Sequence, residues 1–162
     1  MYKSRPKSRE VVPYLNAAEP FDTLPRLLIP TRAFPYKPPV LGYGWRAPRA
    51  ALFEYARQRK LHQRRSGEVD ELASIMHAFP TFVREHWPSL HEHYIKLEWS
   101  SIGPADTNHV LVIVYTNFDL KRVDLPSSEE IESIGNVLGV EDRPGWFLID
   151  EQCWGWRLWS EK

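Results

Sequence analysis

Val110-Leu111-Val112-Ile113-Val114-Tyr115 is the stretch on which the fold class turns. A continuous apolar run of this length, with no polar residue alternating through it, reads as a central strand covered on both faces. Just upstream, Ile95, Leu97 and Trp99 alternate with Lys96, Glu98 and Ser100, the period of a half-buried strand. The turn-rich Gly103-Pro104-Ala105-Asp106-Thr107-Asn108 separates the two. Downstream, Ser127-Ser128-Glu129-Glu130 has the form of a capping box, with Ser127 as N-cap and Glu130 reaching back. The helix it opens presents Ile131, Ile134 and Leu138, and Gly139 is placed to end it. Two strand candidates close the chain, Trp146–Ile149 and Trp154–Trp159, joined across residues 150–153 as a hairpin.

Helical signals precede the first strand candidate. Pro48 suits a helix's first turn, and from Ala50 to about Arg65 the chain lacks Gly and Pro. Leu52, Tyr55 and Ala56 share one face of that helix, and Arg57, Lys60 and Arg64 fall on roughly the opposite one. Ser66-Gly67 breaks it, and Ser66 is placed to cap a second helix on which Leu72, Ile75, Met76 and Phe79 follow helical spacing. Pro80 is expected to begin a third, short helix carrying Phe82, Val83 and Trp87.

Residues 1–47 form a distinct zone. With Pro48 they hold nine of the 14 prolines, which forbids a long helix and denies a central strand its donors. Yet Tyr2, Tyr14, Phe21, Phe34, Tyr36, Tyr43 and Trp45 set the zone apart from a disordered linker. The expectation is an extended, aromatic-docking arm over residues 1–47, bending at Gly42-Tyr43-Gly44-Trp45 before a single domain over residues 48–162. The whole is an α+β fold: a mainly antiparallel sheet of about four strands with helices on one face, behind a long proline-rich arm. No internal repeat and no low-complexity tract interrupts it.

Charge is laid out unevenly. Residues 1–66 carry 14 Lys/Arg against 4 Asp/Glu, a balance of +10, and residues 67–162 carry 7 against 17, a balance of −10. A basic half next to an acidic half points either to an acidic partner or to an arm folded back on its own domain. The single cysteine, Cys153, excludes an intrachain disulfide and a cysteine-built zinc site, which suits a reducing compartment. No apolar run reaches the length of a membrane span. The basic start has no apolar region behind it, so a secretory signal is not expected, and Pro6 and Pro13 disfavour an amphipathic transit helix. The expected location is cytoplasmic or nuclear, with no membrane partner.

Four features are candidates for function. Arg57, Arg59, Lys60, Arg64 and Arg65 lie within nine positions, a density suited to phosphates or another anionic partner, although Glu68, Asp70 and Glu71 follow at once. Trp45, together with Arg157 and Trp159 near the C-terminus, forms a second set able to act as an aromatic contact surface with cation–π character. His91, His93 and His109 are candidates for a pocket. His91-Glu92-His93 puts two imidazoles on one strand face, but the spacing matches no metalloprotease helix, and neither a metal nor a cofactor is expected. Cys153 reads as a small residue near a turn rather than a nucleophile, and Asp106, Asp119 and Asp124 read first as turn residues. There is no nucleophile elbow, no P-loop and no dinucleotide fingerprint. The leading expectation is a non-enzymatic binding protein that contacts another protein, or a second copy, through its arm and Trp-rich sheet. A nucleic-acid-binding protein using the basic helix end is the runner-up, and a small-ligand binder or enzyme with a His-containing pocket the third.

Overall fold

The computed structural model describes residue 20 and residues 22–90, 95–98, 108–149 and 156–160. Its centre is the apolar run: β5 (His109–Thr116) carries Val110 to Val114, every one of them buried. β5 pairs with β4 (Lys96–Glu98) on one side and with β1 (Leu41–Pro48) on the other, and β6 (Gly145–Leu148) lies beyond β1. All three pairings are antiparallel, giving the order β4-β5-β1-β6. The α+β architecture expected from the sequence is the one observed.

One strand comes from the segment read as arm. Residues 41–47 are free of proline, and Leu41, Tyr43, Trp45 and Ala47 alternate with Gly42, Gly44 and Arg46, so the segment pairs instead of bending. The register slips between Tyr43 and Gly44: Tyr43 faces Tyr115, Gly44 faces Ile113, and Val114 is left over as a bulge. At that bulge a Cβ on Gly44 would sit 1.9 Å from the Val112 carbonyl oxygen, so only glycine fits.

The first helix is shorter than its composition suggests. α1 (Arg49–Gln58) stops where Lys60 turns left-handed, at φ 58°. Leu61 N–H donates to the Ala56 carbonyl at 2.8 Å and Lys60 N–H to Arg57 at 3.0 Å, the two bonds of a Schellman ending. Glycine is usual at that position; a lysine gives the sequence no stop signal. The expected continuation to Arg65 is instead a hairpin, β2 (Gln63–Arg65) against β3 (Glu68–Asp70), turned by Ser66 and Gly67 at φ 53° and 86°. Both turn residues at positive φ match the twist of the flanking strands. Ser66 therefore caps no helix.

Asp70 does, accepting from Ala73 N–H at 2.9 Å at the start of α2 (Glu71–His86). Buried Ser74 ties the hairpin to α2: its hydroxyl accepts from Gln63 N–H at 2.8 Å and reaches the Asp70 carbonyl. Pro80 lies inside α2 and does not open a third helix. A proline there costs about 3 kcal/mol against alanine, but Phe79, Phe82 and Val83 are all buried on the same helix, each contributing about 1.5–3 kcal/mol. The spacing of Ile75, Ala78, Phe79, Phe82 and Val83 marks the buried stripe, and Leu72 and Met76 stay exposed beside it. The last helix, α3 (Ser128–Leu138), has the expected capping box: Ser127 N–H donates to Glu130 Oε2 at 2.8 Å and Glu130 N–H to Ser127 Oγ at 3.2 Å. Gly139 ends it in the left-handed region.

The helices cover one face of the sheet. Trp45, Ala47, Val110, Val112 and Val114 pack with Leu52 of α1, the apolar stripe of α2, and Ile134 and Leu138 of α3. On the opposite face Leu111, Ile113 and Phe147 are buried together, with the Arg46 guanidinium 5.4 Å from the Phe147 ring centre.

Beyond the helices, a second cluster joins the described part of the arm to the sheet: Leu28, Leu41, Trp146, Leu148 and Trp156. Asn117, 1% exposed, fixes this seam. Its Oδ1 accepts from Leu41 N–H at 3.0 Å, while its Nδ2 donates to the Leu28 and Pro39 carbonyls at 2.8 and 3.0 Å. The C-terminal segment lies along the arm. Lys37 N–H donates to the Arg157 carbonyl at 3.0 Å, Trp156 N–H donates to the Lys37 carbonyl, and Tyr36 and Leu158 form an isolated bridge. The expected strand Trp154–Trp159 is thus corrected over residues 156–160, where Trp156 stands at φ 64° and only that bridge forms. The proposed connection at residues 150–153 lies outside the described residues.

Candidate functional site

The basic run does not form a helical stripe. Arg57 and Arg59 are on or just past the end of α1, Lys60 is in the Schellman turn, and Arg64 and Arg65 are on β2. In the antiparallel ribbon Arg64 faces Val69 and Arg65 faces Glu68, so the two arginines point to opposite sides. Two of the five cations are already engaged. Arg57 pairs with Glu54 at 3.2 Å, and Arg59 with Glu85 at 2.6 Å, its guanidinium 5.6 Å from the Tyr55 ring centre. Tyr55 donates to the same Glu85 at 2.8 Å, and burial together with that carboxylate pushes its hydroxyl upward.

The aromatic set separates. Trp45 lies beneath α3, 3% exposed, and its indole donates to the Asp142 carbonyl at 3.2 Å. Trp159 lies at the arm, donating to the Phe34 carbonyl at 2.9 Å. The cation over its ring, 5.3 Å from the centre, belongs to Arg32, where the sequence suggested Arg157. Arg157 serves the seam through its carbonyl.

His91 and His93 lie outside the described residues, as do Cys153 and Asp106. His109, exposed at the start of β5, borders a cleft of about 600 Å³ with Phe53, Glu54 and the Arg49–Glu71 pair, 3.3 Å apart. Among the described residues no three His, Cys, Asp or Glu side chains converge as metal ligands. Asp119 and Asp124 serve their turn. Asp119 accepts from the amide and hydroxyl of Thr116 at 2.8 and 2.7 Å, and Arg122 bridges the two carboxylates at 3.8 and 3.2 Å.

A cleft of about 640 Å³ opens between β1, α3 and residues 140–144. Tyr43, Trp45, Ile131 and Val140 give it an apolar floor. Its rim carries Glu132, Glu141 and Asp142, with Arg143 the one opposing charge among the lining residues. α3 can approach this closely because it presents Gly135 to the sheet, where an added Cβ would lie 3.3 Å from the Trp45 ring. Trp45's bond to Asp142 then holds the rim over the floor. Behind Tyr43, Tyr115 stacks at 5.0 Å and Trp146 meets both rings. Burial raises the Tyr43 hydroxyl, and burial plus the neighbouring Tyr43 pushes Tyr115 up to about 12, so both phenols are neutral at physiological pH.

No family model, curated protein or solved structure matches this chain.

Sequence reasoning reached Trp45 but not its surroundings. Glu141 and Asp142 follow the stop signal of a capped helix and are far in sequence from β1; only the packing of α3 on Trp45 brings them together. The signal that was present is the local one: a glycine inside α3 whose small size is used against an aromatic ring. Chemically, the cleft suits a cationic side chain with an apolar stem, its charge set among carboxylates and its stem on the floor. Among the described residues no helix is long and apolar enough to cross a membrane.

Proposed function

We propose that this chain is a non-enzymatic binding protein that takes a Lys- or Arg-bearing segment of a partner protein in the cleft between β1 and α3. One observation carries the reading: three carboxylates against a single guanidinium surround an apolar, aromatic floor. Long cationic side chains are the natural occupants, since their methylene stems cover apolar surface while the head group stays at the polar rim. The rim charges steer the partner and select against acidic ones.

The test is fluorescence anisotropy with a labelled nine-residue peptide containing two arginines around a central leucine, titrated with the full chain. Binding is expected to weaken with added salt, and to fall about tenfold or more in a Glu141→Lys/Asp142→Lys variant, where two rim charges are reversed. Equal binding by the variant would remove the cleft from consideration.

A second reading retains the anionic-partner idea. Lys60, Arg64 and Arg65 are exposed at the end of α1 and on β2, and a hairpin is a shape that nucleic acid grooves accept. It requires steeply salt-dependent binding of a duplex oligonucleotide that an Arg64→Glu/Arg65→Glu variant loses.

A further inference from the structure

A second surface, distinct from the acidic cleft in its lining and opposite in charge, lies where three remote segments meet. A pocket of about 250 Å³ is walled by Ile29 from the arm, by Phe118 and Leu120 from the turn after β5, and by Trp159 from the C-terminal segment. Arg32 and Lys121 stand at its mouth, and no acidic residue lines it. The turn explains why the positive charge is left over. Its two carboxylates, Asp119 and Asp124, are both held by Arg122. Among the described residues none pairs with Lys121 or with Arg32, whose guanidinium rests over Trp159. The wall is also unusually apolar for a surface. Ile29, Phe118 and Leu120 are each more than a third exposed, and Leu158 and the fully exposed Val123 lie close by in sequence.

We propose that this pocket receives an aliphatic or aromatic side chain of a partner protein, from a segment carrying Asp or Glu beside it. The volume decides against a cofactor-sized ligand, because such sites run from about 300 to 1,000 Å³. The charge decides the sequence context, because two cations with no acidic partner among the described residues flank the apolar wall. A nucleobase fits less well: Arg32 lies over Trp159's ring, Phe118 meets it in an edge arrangement at 6.4 Å, and the remaining wall is aliphatic. Trp159 is held for this task by its bond to the Phe34 carbonyl, so the anchor is fixed before any partner arrives.

The experiment is selection of a random twelve-residue peptide library, displayed on phage, against the immobilised full chain. The expected winners carry Leu, Ile, Phe or Trp with Asp or Glu within three positions. A synthetic copy of the commonest is expected to bind about tenfold or more weakly to an Arg32→Glu/Lys121→Glu variant. An Arg32→Lys/Lys121→Arg variant keeps the charge and is expected to retain binding. These side chains are exposed, so the variants test recognition and not folding. Three results overturn the proposal: no enrichment of such sequences, equal binding by the charge-reversed variant, or tighter binding of a single-stranded oligonucleotide at the same residues.

Discussion

Gly44 occupies a position that no other residue can take. Two strands cross it out of step, and the space a Cβ would need is filled by the Val112 carbonyl, with Ile113 Cα just beyond at 3.0 Å. These are backbone atoms in the middle of a sheet and cannot rotate away. Gly44→Ala is therefore expected to cost at least about 3 kcal/mol, the upper range for overpacking a core. Urea unfolding followed by tryptophan fluorescence measures it. A loss below about 1 kcal/mol would mean that the bulge relaxes, contrary to its geometry.

At the scale of the element, α1 and β4 each carry a side chain that works against the structure. Lys60 holds the left-handed position of a Schellman turn, a conformation costing an L-residue about 1–2 kcal/mol. Lys60→Gly is expected to raise stability by about 1 kcal/mol, less the entropy that glycine adds to the unfolded chain; thermal unfolding reads the difference. Glu98 on β4 has its carboxyl pushed upward by burial, with Lys96 pulling the other way. The unfolded chain therefore loses this proton at a lower pH than the native one does. Below the ordinary carboxylate range both forms hold the proton and Glu98 contributes nothing. As pH rises toward the raised native value, stability falls, and the penalty is complete once pH has passed that value. Glu98→Gln is expected to raise the unfolding midpoint at pH 7 and leave it unchanged at pH 3; a benefit of equal size at both would mean that charge is not the cause. These elements also show which signals reach the sequence. The run at Val110 and the box at Ser127 are decided by neighbours within a few residues, and both are legible. The end of α1 is not, since its stop is a lysine in a glycine's conformation, and the helix through Pro80 is sustained by contacts with the sheet that outweigh a local rule.

At the scale of the whole molecule, the candidate sites were the least legible part. The acidic cleft needs β1, α3 and the loop after it, and the Trp159 pocket needs the arm, a turn and the C-terminal segment. Trp45 and Trp159 could be picked out as aromatic, but their partners are set by packing between segments about a hundred residues apart. Asn117 links these levels, since one side chain serves Leu41, Leu28 and Pro39. Asn117→Ala removes three hydrogen bonds at about 1 kcal/mol each and leaves buried groups unsatisfied. Brief trypsin digestion is expected to cleave that variant after Arg26 and Arg32 while the wild type resists. Unchanged resistance would show that the apolar contacts of Leu28 suffice to hold the arm. The strand order has a further consequence for how the protein is made. β1 leaves the ribosome before both of its hydrogen-bonding neighbours, since β5 and β6 begin at His109 and Gly145. Synthesis adds about 5–20 residues per second, so Leu41, Tyr43 and Trp45 spend several seconds as an unpaired edge. The sheet cannot close until β6 has been made, so its slowest contacts to form are those of its earliest strand.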